Sequence, residues 1–92
     1  MGQRTDSDNL HKRLNKIAGQ VKAIDKMIDG DIPCEDILVQ INATHGALHK
    51  VGQMVLERHL NHCVREGIEQ GDAEKTIAEF AKAVEYFSRI AI

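Results

Sequence analysis

Residues 34–63 read CEDILVQINATHGALHKVGQMVLERHLNHC. Along this stretch Leu38, Ile41, His45, Leu48, Gly52, Val55, His59 and His62 recur in alternating steps of three and four. That is the period of one helix face. Asp31 is a plausible N-cap, Pro33 is tolerated in a first turn, and Glu35 and Asp36 suit the positive end of a helix. The pattern should end near Arg65-Glu66-Gly67, giving a helix of about 30 residues. This is long for an isolated globular helix and better suited to a bundle.

Upstream, Leu10, Leu14, Ile17, Val21, Ile24 and Ile28 form a heptad-like apolar seam that should stop at Asp29-Gly30. Downstream, from about Asp72, Ile77, Phe80, Val84, Phe87 and Ala91 mark a third helix. Nothing alternates with period two for long enough to make a strand, and no internal repeat is visible. The expected fold is all-α, a three-helix protomer with a long middle helix. Residues 1–92 should form one domain, with 1–8 flexible. One protomer has too little mass to cover the middle helix, so at least a dimer is expected.

Composition narrows the function classes. The 92 residues include no Trp, one Tyr and two Phe, so any core is mostly aliphatic. No apolar run approaches the roughly 20 residues of a membrane span. The opening MGQRTDSDNLHKR lacks the apolar middle of a signal peptide, and the expected address is cytoplasmic. Thiols stay reduced there, so Cys34 and Cys63 read as ligands or reactive groups rather than a disulfide. The net charge is -2, yet residues 1–30 carry six bases against four acids. Lys12, Arg13, Lys16, Lys22 and Lys26 make a basic first segment, either a solvated helix face or a surface that neutralises phosphates.

The chemistry concentrates in HLNHC, residues 59–63. His59 and Cys63 are four apart and share a helix face, where together they can grip an ion. A small thiol packed beside surface histidines is the competing reading. Cys34 sits in the first turn of the same helix, about 25 residues or nearly 40 Å away, so it cannot share that ion within one chain. If two middle helices pack antiparallel, Cys34 of one chain meets His59 and Cys63 of the other. Two thiolates and one imidazole make a soft set that suits Cu(I) and is one ligand short of a closed zinc site. A second pair, His45 and His49, lacks a nearby cysteine or carboxylate and reads as structural or solvent-facing. Met27 and Met54 read as packing residues. No nucleophile–base–orienter set suggests an enzyme.

KRLNKIAGQVKAI, CEDILVQINA and ERHLNHCV together resemble the copper-sensing operon repressor family (CsoR/RcnR/FrmR), closest to its Cu(I)-sensing branch. The resemblance covers nearly the whole chain. It implies an antiparallel dimer, usually a dimer of dimers, that binds operator DNA without a helix-turn-helix and lets go on binding its effector. It implies Cys34, His59 and Cys63 as Cu(I) ligands bridging protomers, and Glu79 as the acid that hydrogen-bonds the ligand histidine and couples binding to DNA release. Lys12, Arg13, Lys16 and Lys50 match positions implicated in DNA contact.

Departures from the copper-sensor pattern, and matches to other branches, bear on the effector. Pro33 stands where copper sensors commonly have Tyr. No histidine precedes His11, which argues against the nickel and cobalt members. Formaldehyde-responsive members use the N-terminal amine and the first cysteine, and usually lack the last one. Persulfide-sensing members use two cysteines at the positions of Cys34 and Cys63. A copper buffer or chaperone with no DNA partner is the alternative from another class.

Overall fold

The computed structural model describes residues 2–90, with side chains from 7 to 89. Helix α1 spans Gly2–Ile28 and α2 spans Cys34–Arg58. A π-helical segment, His59–Val64, leads into α3, Arg65–Glu69, and α4 spans Ala73–Ile90. Arg58, His59, Val64 and Arg65 all keep right-handed helical backbone angles, so α2, the π segment and α3 form one continuous rod. The protomer is therefore three helical rods, and no strand occurs among the described residues.

Two boundaries differ from the sequence expectation. The rod is capped by Pro33 rather than Asp31. Pro33 has φ -57 and ψ 141, and its carbonyl accepts the N–H of Asp36 at 3.0 Å and of Ile37 at 3.3 Å. A residue preceding proline is pushed away from helical angles, so Ile32 cannot carry the helix back to Asp31. At the other end Gly67 does not stop the rod. The chain reverses at Gly71, whose φ is 85, with the N–H of Asp72 on the Gly67 carbonyl at 3.0 Å and that of Gly71 on Ile68 at 3.1 Å. This is a Schellman ending, which requires the left-handed residue that glycine supplies without penalty. Gly67 has a different task. A Cβ there would overlap the side chain of Thr76, which is buried at the start of α4.

Helix α1 folds back on α2 and buries Leu10 and Ile17 against Val51, with Ala47 and Met54 beside them. Helix α4 runs back along the second half of the rod. The ring of Phe80 meets His59 and that of Phe87 meets His49, in reversed chain order.

The expected apolar stripes are thus divided by the fold. In α1, Leu10 and Ile17 are buried, whereas Leu14, Val21 and Ile28 stay exposed. In α2, the side that faces α1 includes Ala47, Val51 and Met54. The regular stripe of Leu38, Ile41, Leu48 and Val55 is exposed, at 45–63%. Among the described residues no side chain is fully enclosed. The protomer is a slab of 59 × 29 × 13 Å, hardly thicker than one helix with its side chains. No described helix is long and apolar enough to cross a membrane.

Candidate metal centre and DNA-facing surface

The proposed ligands lie at opposite ends of the rod. Cys34 is the first residue of α2, and its thiol is free and exposed. His59 and Cys63 both fall in the π-helical segment at the far end, Cys63 again free and exposed. Twenty-five residues separate Cys34 from His59, about 37 Å at the helical rise. No group of three His, Cys, Asp or Glu side chains able to hold a metal occurs in one protomer among the described residues.

The far end is organised by α4. The His59 ring stacks on Phe80, with centroids 5.9 Å apart and planes 13° from parallel. This contact fixes the imidazole plane and leaves the residue half-buried. Glu79, the neighbour of Phe80, is exposed and lines one open cleft of about 280 Å³ together with Cys63, Lys75 and Thr76. Cys63 and Glu79 therefore share one cleft, while His59, four residues before Cys63, lines another with Ala83, Tyr86 and Phe87. The overlap-free approach at Gly67–Thr76 brings α4 close enough for this.

The π pitch was not legible in the sequence. Residues 59–64 contain neither Gly nor Pro to announce it. In a π turn the backbone bonds run from i to i+5, so each turn is wider and holds an extra residue. His59 and Cys63 stay within one turn of each other, while everything beyond is rotated relative to an unbroken α-helix. Such turns concentrate at functional sites.

The basic positions are all exposed: Lys12, Arg13 and Lys16 on α1, and Lys50 on α2. Lys12 and Lys16 are one turn apart, on the side of α1 away from buried Leu10 and Ile17.

A second histidine feature was undervalued by the sequence reading. Asn42, His45, Gly46 and His49 line an open cleft of about 320 Å³ on α2. The His49 ring stacks on Phe87 at 5.0 Å, and its Nδ1 is enclosed without a hydrogen-bond partner. The signal that could have found these pairings was the seven-residue spacing of Phe80 and Phe87, read only as core.

Comparison with known proteins follows the same lines. Residues 6–86 match the family model described as metal-sensitive transcriptional repressor. The chain is 39% identical over 84 residues to the copper-sensing transcriptional repressor CsoR of Bacillus subtilis, covering 91% of this chain and 83% of that one. The fold superimposes on the crystal structure of the copper-sensing repressor CsoR with Cu(I) from Geobacillus thermodenitrificans, with a TM-score of 0.82 and 43% identity over 88% of this chain and 84% of that one. It also superimposes on the nickel-responsive transcriptional regulator InrS, with a TM-score of 0.80 and 31% identity over 87% and 90% of the two chains.

Proposed function

Because the chain belongs to the metal-sensitive transcriptional repressor family, we propose that it is a Cu(I)-responsive repressor that holds operator DNA when metal-free and releases it on binding Cu(I). The ligands are Cys34 of one protomer with His59 and Cys63 of its partner. The observation that carries this reading is the rod itself. It has a free thiol at one end, an imidazole and a free thiol at the other, and an exposed apolar face between them. Two such rods laid antiparallel cover that face and bring the two ends together twice. The copper-sensing relatives support the same reading.

The donor chemistry fits the ion. Two thiolates and one imidazole form a soft set of the kind that selects Cu(I). Bound Cu(I) supplies a soft centre that ties donors of two chains to one point. The residues around it do the rest. Phe80 holds the His59 plane, and Glu79 accepts the N–H of the His59 nitrogen that does not ligate, as outer partners of metal-bound histidines commonly do. Lys12, Arg13, Lys16 and Lys50 contact DNA phosphates. A shift between two arrangements of the paired rods, biased by a coupling of about 1–3 kcal/mol, moves them out of register with the DNA backbone.

Anaerobic titration of the reduced protein with Cu(I) against a competing chelator, read beside binding to its own upstream DNA, tests this. One tightly held Cu(I) per chain with loss of DNA affinity is expected, and His59→Ala should uncouple the two. Wild-type behaviour of His59→Ala would end the copper mechanism. The exposure of both thiols also favours a second reading, in which a polysulfide donor joins Cys34 and Cys63 across protomers. Mass spectrometry after polysulfide treatment finds such crosslinks or removes that reading.

A further inference from the structure

We propose a second metal site, built of four imidazoles at the two-fold axis of the dimer: His45 and His49 of one protomer with His45 and His49 of the other. It takes a borderline divalent ion of the Zn²⁺ and Ni²⁺ class. The proposal rests on the antiparallel pairing put forward under Proposed function.

In antiparallel rods the numbers of facing residues have a constant total. Setting Cys34 opposite His59 through Cys63 puts that total between 93 and 97, and His45 opposite His49 gives 94. The same register that assembles the sulfur site therefore places each His45 against the other chain's His49. The face agrees as well. His45 lies eleven residues after Cys34 and fourteen before His59, close to three and four whole turns. His49 lies one further turn along from His45, and an i,i+4 histidine pair is a spacing that grips metal. Axes 8–10 Å apart leave facing imidazoles within reach of one ion.

Within one chain this pair lacks a third donor, and for that reason the sequence suggests no site. A two-fold axis supplies the missing donors from the same two residues, since an isologous interface presents each side chain twice. The lone protomer prepares the position. His45, His49, Asn42 and Gly46 line an open cleft of about 320 Å³. Stacking on Phe87 at 5.0 Å fixes the His49 plane. Imidazole is a good donor for Zn²⁺ and Ni²⁺, and with no thiolate the cluster offers Cu(I) little.

The test uses the reduced, Cu(I)-loaded protein, so that the thiolates are occupied, titrated anaerobically with Co²⁺. Expected are saturation at about one Co²⁺ per two chains, as an isologous site requires, ligand-field absorption without a thiolate-to-cobalt band, and loss of that absorption in His45→Gln. His49→Gln should behave alike, but because it also removes the contact with Phe87, the decision falls to His45→Gln on the exposed face. Unchanged Co²⁺ binding in His45→Gln overturns the site, and so does a stoichiometry of one per chain. A monomer in sedimentation overturns the antiparallel reading and this site with it. A dimer that binds Cu(I) but no Co²⁺ overturns the histidine site alone.

Discussion

The face of α2 that meets α1 buries Val51 against Leu10 and Ile17, whereas the neighbouring face leaves Leu38, Ile41 and Leu48 exposed. Both faces are apolar and both have helical period, yet α1 packs the first, whereas the second meets α4 at His49 and His59 and still leaves Leu38, Ile41, Leu48 and Val55 exposed. The difference is also chemical. The face towards α1 carries Ala47, Val51 and Met54, while Cys34, His45, His49, His59 and Cys63 belong to the other. One face packs against α1, and the other carries the residues proposed above as ligands.

The largest effect is expected from splitting the chemical face between chains. Cys34→Ser and Cys63→Ser should each lose Cu(I) to a chelator, and a mixture of the two should recover one intact site per mixed dimer. Recovery sharpens the contrast, and copper retention by either variant alone breaks it. Next, Ile17→Ala on the packed face should cost about 2–5 kcal/mol in urea unfolding. Leu38→Ala on the other face should instead shift sedimentation towards the monomer. If Leu38→Ala leaves the dimer intact, that face is not the contact.

Gly67→Ala should cost about 1–3 kcal/mol through overpacking against Thr76, and Thr76→Ala should relieve part of it. Additive losses in the double variant would mean that the two sites are not in contact. For Lys16→Ala, the slope of log affinity against log salt for operator DNA should fall by about 0.9, one phosphate's share. A slope equal to wild type removes Lys16 from the interface. Smallest of all, Arg89→Ala breaks the 2.7 Å pair with Glu85, but both side chains are about 60% exposed, so under about 0.5 kcal/mol is expected in thermal unfolding.

Much of the fold was legible because periodicity is a strong signal over long segments. The seam from Leu10 to Ile28, its stop at Gly30, the long middle helix and the stripe through Phe80 and Phe87 all follow from residue spacing. What could not be read was which neighbour each stripe meets. The regular stripe from Leu38 to Val55 exceeds what one protomer was expected to cover, and in one chain it is surface. Spacing gives a face its direction around a helix but does not name its partner. The local errors have local causes. Pro33 blocks a helix start at Asp31 through the geometry of Ile32, and Gly67 serves a close approach while Gly71 takes the reversing angle. Of the candidate site, the sequence could place Cys34 apart from His59 and Cys63. It could not show the π turn beneath HLNHC, which no Gly or Pro announces, or the aromatic rings that set the two histidine planes, because those rings come from α4.

A slab 13 Å thick has a consequence for turnover in the cell. With only a small buried cluster among the described residues, a single chain shows Leu38, Val39, Ile41 and Leu48 to whatever passes, including chaperones and proteases that act on open states. Pairing of the rods as proposed above would remove those signals. Surplus or orphan chains are then cleared faster than assembled ones, and limited proteolysis of dilute protein should nick within residues 29–48 first. The level of such a protein would then be set by how completely it pairs as well as by how fast it is made.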